Sequence, residues 1–350
     1  MNELGLAARG EAQLPPEAAP SVFAWAADLD GCGYYRAALP MQALAAQGHD
    51  ALAWPDLPLG AMPWQVVIGQ RVVREDASTV WQRMAAEGKP LVLELDDDLW
   101  HIPEHNPAHG FYDAAKLALL EENIAAATMV TTTTEPLAAV IRNHHPHVRV
   151  IPNYIDAALL AMQRPRREKV TIGWAGSATH RQDFEACRRP LRRLLASRPN
   201  VDLHMVGTDY RKLAGRPDGR FSEWVRPTPA YYSLLDFDIG IAPLVDNTFN
   251  RSKSPIKALE YAALGIPVVA SNVGPYAEFV EHGVTGFLCE SEADWSRYLR
   301  LLTQDADLRD LMGRAARIKA HAWTIQAHAD EWLKVADEAL RRRTRDRVPV

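Results

Sequence analysis

The residues best suited to chemistry lie between positions 250 and 271, where the chain reads NRSKSPIKALEYAALGIPVVAS. Proline favours the first position of a helix and serine the position before it, so the Ser–Pro step predicts a helix over 255–264 with Ser254 as its N-cap. Lys253 and Lys257 stand on either side of this helix start. Helix starts carry free N–H groups and partial positive charge, so lysines there are unfavourable unless an anion such as phosphate compensates for them.

A single carboxylate follows the lysines on the same face of the predicted helix. Glu260 comes three residues after Lys257, and a carboxylate in that place can accept hydrogen bonds from the two neighbouring hydroxyls of a ribose. Together these residues predict a binding site for a nucleoside diphosphate. The alternative interpretation is an exposed helix start with an ordinary Lys–Glu pair.

The elements that must position this helix alternate between strand and helix along most of the chain. The alternation breaks over 157–168 and then restarts with KVTIGWAGS. This pattern predicts an α/β protein with two doubly wound parallel-sheet domains. Ligands in such sheets bind beyond the carboxyl ends of the strands, so two sheets facing each other across a cleft would share one substrate pair. Before the break, the predicted strands include 22–27, 64–70, 89–96 and 148–153, and the predicted helices include 76–87 and 114–127.

A glycine-rich turn at the end of the first predicted strand carries further candidates. DGCGYYR, residues 30–36, holds Gly31 and Gly33, which let the backbone approach a sugar or a phosphate closely. A dinucleotide site would need a third glycine where Arg36 stands, so binding of NAD is disfavoured. A plain strand-to-helix turn is the alternative.

An acidic run, ELDDDLW at residues 94–100, ends another predicted strand. Three adjacent carboxylates repel one another, so a ligand should hold them at this edge, and Asp97 or Asp98 could bind a hydroxyl-rich acceptor. A metal ion is disfavoured because consecutive strand residues point in alternate directions. A solvated loop is the alternative. The pair Tyr231 and Tyr232 is interpreted as core packing rather than as the border of a nucleotide base.

Composition limits the class of protein. The chain has 350 residues, of which 47% are apolar and 24% charged, as expected for a folded protein of about two domains. The net charge of −5 argues weakly against a dedicated nucleic-acid binder. Widely separated cysteines without a metal-binding spacing, and the lack of an apolar run of membrane-spanning length, predict a cytoplasmic protein without a transmembrane segment.

The stretches SPIKALEYAALGIPVVAS and GPYAEFVEHGVTGFLCE resemble the C-terminal motif of the retaining GT-B glycosyltransferases of family 4. That motif has a glutamate, seven residues and a second glutamate, and Glu260 matches the second. The resemblance implies that Glu260 contacts the ribose. The family's first glutamate, which contacts the transferred sugar, falls at Ser252. This sugar contact is therefore left to Ser252, Ser254 or backbone amides of the loop.

The stretch VTIGWAGSATHRQD, residues 170–183, resembles the first strand and the phosphate loop of the family's nucleotide domain. Family members usually have an arginine and a lysine in this region. GT-B enzymes typically work without a metal, so the resemblance implies that Arg181 and Lys253 hold the diphosphate. Asp97 falls near the place where the family often has a histidine in the active cleft. The donor-binding residues expected in all are Gly31, Gly33, Gly176, Ser177, His180, Ser252, Ser254, Lys257 and Glu260.

The resemblance covers most of residues 21–340 and implies a GT-B arrangement of two Rossmann-like domains facing across a cleft. Its expected parts are a flexible N-terminal tail (1–20), an N-terminal acceptor domain (21–160), a C-terminal nucleotide-sugar donor domain (165–320) and a helix crossing back to the first domain (321–343).

The implied function is transfer of a sugar from a UDP- or GDP-sugar to an acceptor hydroxyl with retention of configuration, with Lys253, Arg181 and Asp97 at the reacting centre. No cofactor or metal is expected. The acceptor could be a glycan, a small molecule or a modified nucleic acid, and the sequence does not indicate the oligomeric state. A sugar-nucleotide epimerase and a non-catalytic sugar-nucleotide-binding sensor or partner are the alternatives.

Overall fold

The computed structural model describes residues 19–57, 63–165 and 167–345. The predicted flexible tail over 1–20 lies outside the described residues except for its last two positions. Among the described residues, no helix combines the length and the apolar character that crossing a membrane requires.

The first lobe is a six-stranded parallel sheet in the order β2-β1-β3-β4-β5-β6, together with the helices that cover it. Its central strands β3 and β4 are buried along their whole length, as continuous apolar runs of parallel sheets require. The strands are β1 (Val22–Trp25), β2 (Ala51–Trp54), β3 (Val66–Gln70), β4 (Leu91–Leu95), β5 (Met129–Thr132) and β6 (Val148–Val150). The helices up to the second sheet are α1 (Gly31–Gly33), α2 (Leu39–Ala46), α3 (Glu75–Ala86), α4 (Ala114–Ala126), α5 (Glu135–Ile141) and α6 (Ala157–Ala161), with a π-helical turn at Tyr34–Ala38.

The second lobe repeats this plan with a parallel sheet in the order β12-β11-β10-β7-β8-β9. Its strands are β7 (Val170–Gly176), β8 (Val201–Gly207), β9 (Arg220–Ser222), β10 (Ile239–Ala242), β11 (Val268–Ser271) and β12 (Gly286–Cys289). Its helices are α7 (Glu185–Ser197), α8 (Thr228–Tyr231), α9 (Thr248–Arg251), α10 (Ile256–Ala263), α11 (Pro275–Phe279), α12 (Glu292–Gln304) and α13 (Ala306–Ala320). The prediction of two doubly wound parallel sheets is confirmed.

Sequence patterns missed three of the four edge strands of the two sheets. The strands β2, β9 and β12 were not predicted, and each forms a sheet edge. Edge strands are short and half covered, so they lack the long buried run that identifies a central strand. In β2, for example, half-buried and exposed residues alternate.

The end of the chain returns to the first lobe. After α13 come α14 (Ile325–His328) and α15 (Asp330–Arg345), and α15 packs on β3 and β4. Beside this return, Ile155 donates its N–H to the carbonyl of Trp323 at 3.0 Å, and Ile325 donates to the carbonyl of Ile155 at 2.8 Å. The two crossings between the lobes therefore run side by side.

A buried arginine joins several parts of the first lobe. Arg36, in the π-helical turn, is only 1% exposed. Its Nε lies 2.7 Å from a carboxylate oxygen of Glu94, and its Nη1 donates to the carbonyl of Ile151 at 2.6 Å. The guanidinium also lies over the ring of Trp332 in α15, 4.9 Å from its centroid. This residue, which stands where a dinucleotide site would need glycine, connects the sheet to the returning helix.

Candidate functional site

A cavity of about 470 Å³ lies between the two lobes, at the carboxyl ends of their strands. The start of α10 opens into it. Of the residues predicted to form the site, those that line the cavity are Gly31, Asp97, Gly176, Ser177, His180, Lys253, Ser254, Lys257 and Glu260. The structure thus gathers residues from four separate stretches of the chain around one space.

The two lysines at the start of α10 have different partners. The Lys253 ammonium lies 3.4 Å from Asp97 of the first lobe and 4.2 Å from the ring centroid of Phe249. The Lys257 ammonium lies 2.8 Å from Nε2 of His180. Burial and the neighbouring charge of Lys253 lower the pKa of Lys257 to about 8. Both ammonium groups border the cavity, where an anion would stabilise them.

The N-cap prediction for α10 is wrong. The N-cap is Pro255, and no side chain caps the helix. The Ser254 hydroxyl instead accepts a hydrogen bond from the Asn153 amide of the first lobe at 2.8 Å. The backbone N–H groups at this helix start are thus free of side-chain caps, as an anion-binding helix start requires.

Glu260 is held by tyrosines from both lobes. Its carboxylate accepts hydrogen bonds from the Tyr35 hydroxyl of the first lobe and, at 3.1 Å, from the Tyr231 hydroxyl of the second. Burial raises the pKa of Glu260 to about 7, and the two tyrosines and Lys257 oppose that rise. A carboxylate has about four acceptor positions, so both oxygens retain capacity for ligand hydroxyls.

The tyrosine pair combines a core position with a site position. Tyr231 and Tyr232 are buried, as predicted. Tyr231 also lines the cavity, and Trp224 stacks on its ring with a centroid separation of 4.2 Å. Trp224 is 38% exposed and lies at the rim of the cavity. A flat apolar surface of this kind suits the stacking of a base.

The glycines fulfil different requirements. Gly31 has a φ of 49° with open space around it, and its N–H donates to Thr228 across the lobes at 3.1 Å. Gly176 lies against the stem of Lys257, so a β-carbon there would come within 3.1 Å of the Lys257 Cε. Gly33, predicted to bind the donor, is not among the described residues that line the cavity. A β-carbon there would lie 1.9 Å from the carbonyl oxygen of Asp28, so packing requires this glycine.

Two other predicted residues also lie away from the cavity. The Arg181 side chain is half exposed and pairs with Glu185 of α7 at 2.7 Å. Arg181, predicted to hold the diphosphate, is therefore not among the described residues that line the cavity. Ser252 is buried, and its hydroxyl donates to the carbonyl of Thr248 at 3.1 Å. Its own carbonyl accepts from Thr134 of the first lobe at 2.7 Å. Ser252 thus joins the lobes, and it is not among the described residues that line the cavity.

The first-lobe wall of the cavity is acidic. It carries the carboxylates of Asp28, Asp30, Asp96 and Asp97. Arg71, a residue that sequence reasoning missed, donates to Asp96 at 2.7 Å and lies 3.5 Å from Asp97. Asp98 is fully buried and pairs with His101 at 2.8 Å, so Asp97 is the member of this pair that faces the cavity.

Arg71 supplies a positive charge beside three side chains that could otherwise bind a metal ion. The thiol of Cys32 and the carboxylates of Asp96 and Asp97 lie within 4.8 Å of one another, close enough to share a cation. The Arg71 guanidinium provides positive charge at this place, and its backbone has a φ of 48°, which is uncommon for a residue other than glycine. Arg71 directly follows the end of β3, just as the acidic residues follow the end of β4. This position at a strand end is the sequence signal that could have identified Arg71.

The opposite wall, formed by the second lobe, is basic. Lys253, Lys257 and Arg226 line it, and Arg226 lies 3.3 Å from Asp30 across the cavity. An anion would be stabilised on this side. Groups that donate hydrogen bonds, such as sugar hydroxyls, would be stabilised against the carboxylates on the other side.

Comparisons with known proteins show what this chain is similar to. Residues 169–305 match the family described as glycosyl transferases group 1. A D-inositol 3-phosphate glycosyltransferase of Paenarthrobacter aurescens is 29% identical over 160 residues, which cover 41% of this chain and 38% of that protein. A glycogen synthase of Mycobacterium tuberculosis is 25% identical over 248 residues, 66% of this chain and 59% of that protein. The chain thus spans less than two thirds of either relative.

Solved structures match nearly the whole chain. The sucrose-phosphate synthase of Thermosynechococcus elongatus superposes with a TM-score of 0.65 at 15% identity, covering 89% of this chain and 97% of that one. Anabaena HepE in complex with UDP and glucose gives a TM-score of 0.64 at 14% identity, covering 90% and 98%. The predicted GT-B fold is confirmed, and so is the predicted resemblance to GT-B glycosyltransferases.

Proposed function

We propose that this chain transfers a sugar from a nucleoside-diphosphate donor to an acceptor hydroxyl with retention of configuration, in the manner of the family 4 enzymes. The observation that carries the proposal is the placement of Lys253, Lys257 and Glu260 at a helix start that opens into a cavity between two lobes. A uridine diphosphate sugar is the first donor to test, because HepE was solved with UDP and glucose. A GDP-sugar is the second.

In this proposal the second lobe binds the donor. The two ammonium groups and the start of α10 stabilise the pyrophosphate, and Glu260 accepts hydrogen bonds from the ribose hydroxyls. These groups supply the positive charge that the leaving diphosphate needs, so the proposal includes no metal ion. Arg181 has no part in it, because the side chain pairs with Glu185 outside the cavity.

The transfer step consists of two bond changes at the anomeric carbon. The bond to the diphosphate oxygen breaks, and a bond to the acceptor oxygen forms on the same face. The departing phosphate oxygen takes the proton of the acceptor hydroxyl. Negative charge grows on the diphosphate during this step, so fixed positive groups beside it stabilise the transition state more than the bound donor.

The acidic wall favours an acceptor that presents hydroxyls and carries no negative charge where it enters. Asp97 borders the cavity opposite the donor lysines and could hold an acceptor hydroxyl near the reacting carbon. A phosphorylated end, by contrast, would face the carboxylates of Asp28, Asp30 and Asp96, which outnumber the two arginines beside them, Arg71 and Arg226. A glycan or a polyhydroxylated small molecule fits this wall better than a nucleic acid.

A nucleotide panel tests the proposal. Melting temperatures are measured with uridine, UDP, UDP-glucose, GDP and GDP-mannose, since a ligand at about a hundred times its dissociation constant adds about 2.7 kcal/mol of stability. We expect a clear rise with one diphosphate series and little with the nucleoside. Binding without sugar transfer to any of a range of hydroxylated acceptors would instead indicate a sensor, and a changed sugar on the nucleotide without acceptor would indicate an epimerase.

We expect the affinity for UDP-glucose to be highest between pH values of about 7 and about 8. The pKa of Glu260 is about 7, so below it the carboxylate gains a proton and becomes a poorer acceptor for ribose hydroxyls. The pKa of Lys257 is about 8, so above it the charge that faces the pyrophosphate is lost. UDP-glucose suits this measurement because its pyrophosphate does not titrate in this range. Calorimetry from about pH 5.5 to about pH 9 measures the profile, in which each limb approaches a tenfold change per pH unit.

The variant Glu260→Gln separates the two limbs. A glutamine at this position does not titrate, so the decline toward acid pH should disappear while the decline toward alkaline pH remains. An unchanged acid limb in this variant would assign that limb to another group.

A further inference from the structure

Lys257 stands at the end of a chain of hydrogen bonds that begins in the interior of the second lobe. The Asp183 carboxylate is 5% exposed and accepts from the Asn250 amide at 2.7 Å and from the Val245 N–H at 3.0 Å, both at Oδ1. Its other oxygen lies 2.8 Å from Nδ1 of His180. Nε2 of His180 lies 2.8 Å from the Lys257 ammonium.

The partners fix the tautomer of His180. An ammonium group can only donate hydrogen bonds, so Nε2 must be the acceptor and carry no proton. The proton of the neutral ring is then on Nδ1, where the Asp183 carboxylate accepts it. Burial and the neighbouring Lys257 charge lower the pKa of His180 to about 3, in agreement with a neutral ring. The Asp183 carboxylate thus leaves Nε2 as the ring nitrogen that can accept a hydrogen bond from Lys257.

The surroundings of Lys257 give this contact its importance. Lys253 repels its ammonium, while Glu260, Asp183 and Asp97 attract it. Lysine has a flexible four-carbon stem, so these opposing pulls do not define one position by themselves. The Nε2 atom of His180 is a directed acceptor, and the stem lies against Gly176 on its way to it.

We infer that His180 is a positioning residue: Asp183 fixes its tautomer, and its Nε2 holds the Lys257 ammonium where the donor diphosphate binds. The inference rests on the proposed function, since it assigns to Lys257 a diphosphate to meet. It also changes the role expected for His180, from direct contact with the donor to support of a residue that makes this contact. A neutral imidazole can give this support, because the contact with Lys257 needs the lone pair of Nε2 and no charge on the ring.

The variant Asp183→Asn tests the tautomer. Its single carbonyl oxygen would continue to accept from Asn250 and Val245, so its NH₂ group would face Nδ1 of His180 and donate to it. The ring proton would then move to Nε2 and face the Lys257 ammonium. We expect the affinity for UDP to fall about 10- to 100-fold, as for loss of a hydrogen bond to a charged group. The affinity for uridine, which lacks the diphosphate, should stay unchanged.

Matched variants of His180 distinguish positioning from folding. His180→Gln places a neutral amide oxygen near the Nε2 position and should bind UDP within a few-fold of the wild-type chain. His180→Leu fills a similar volume without an acceptor and should lose UDP affinity as Asp183→Asn does. In Asp183→Asn and His180→Leu, the alkaline decline in the affinity for UDP-glucose should also move to lower pH, because the Lys257 ammonium has lost an acceptor and its pKa falls.

Calorimetry with UDP and uridine at a pH of about 7.5, on variants whose melting temperatures are recorded, separates the outcomes. Equal UDP-to-uridine affinity ratios in the wild type, Asp183→Asn and His180→Leu would overturn the inference. Parallel losses of UDP and uridine affinity would also overturn it, since they indicate a structural role alone. If the wild-type chain bound neither UDP nor GDP more tightly than the nucleoside, the proposed function itself would fail.

Discussion

Replacing Lys253 by alanine is expected to lower the turnover number for sugar transfer about 100- to 1,000-fold, the usual effect of removing one preorganised group that stabilises developing charge. The Lys253 ammonium borders the cavity beside the start of α10, and its position depends on Asp97 and on the ring of Phe249. Negative charge on the diphosphate increases as the sugar leaves. Loss of this group therefore affects the transition state more than the bound donor, and the Michaelis constant for the donor should change less than the turnover number.

Steady-state transfer assays with the donor identified by the nucleotide panel measure this effect. Lys334→Ala is the matched control, because this lysine lies on the exposed face of α15 and pairs with Asp330 one turn away. The control should retain full turnover. A Lys253→Ala enzyme within a few-fold of the wild type would remove Lys253 from the reacting centre and place the charge stabilisation on Lys257 and the helix start alone.

The largest stability effect is expected from Arg36→Met, which should lower the free energy of unfolding by about 3–5 kcal/mol. The substitution removes the partner of Glu94, a carboxylate with no exposed surface, and three hydrogen bonds to residues 151–153. A buried charge left without its partner is the costly outcome. Urea unfolding followed by fluorescence measures the loss, with the exposed Arg74→Met as the matched control.

The same substitution has a pH dependence with a defined sign. Burial raises the pKa of Glu94 to about 7 even with Arg36 beside it, so without Arg36 the carboxyl group binds its proton still more tightly. A raised carboxyl pKa gives stability that is present at acid pH and lost as the pH rises through the folded-state value. The deficit of Arg36→Met should therefore be smaller at a pH of about 5 than at a pH of about 8.

A double variant completes the test. Arg36→Met combined with Glu94→Leu removes both charges, so it should recover much of the loss. A deficit that is equal in the single and double variants would show that the contacts of Arg36 with Ile151, Asn153 and Trp332 matter more than its pairing with Glu94.

The part of the site that local sequence could predict is the part built from one short segment. Lys253, Lys257 and Glu260 belong to a helix start whose Ser–Pro step and charged residues are visible within a few positions. The central strands of the two parallel sheets could also be predicted locally, because their buried apolar runs are continuous. Local patterns fix these features because the relevant physics, helix-start polarity and strand burial, acts over only a few residues.

The remaining contacts depend on how separate strands and the two lobes come together. Tyr35 reaches Glu260, and Arg71 reaches Asp96, over long separations along the chain, and no local pattern reports such contacts. Sequence spacing also could not tell which of two adjacent residues faces the cavity. His180 faces the cavity, whereas Arg181 pairs with Glu185 on the outside of the same turn. Gly33 resembled a ligand-binding glycine, but its requirement comes from the backbone of Asp28.

The side-by-side crossings at Ile155 and Ile325 also limit how the protein can open. Because both connections between the lobes run side by side, we expect the cavity to open by rotation of the lobes about that line rather than by their separation. Contacts near the two crossings, such as that between Asn153 and Ser254, would move little during such a rotation. Contacts between the lobes that lie far from the crossings would separate first, and the ligand would enter the cavity from that side.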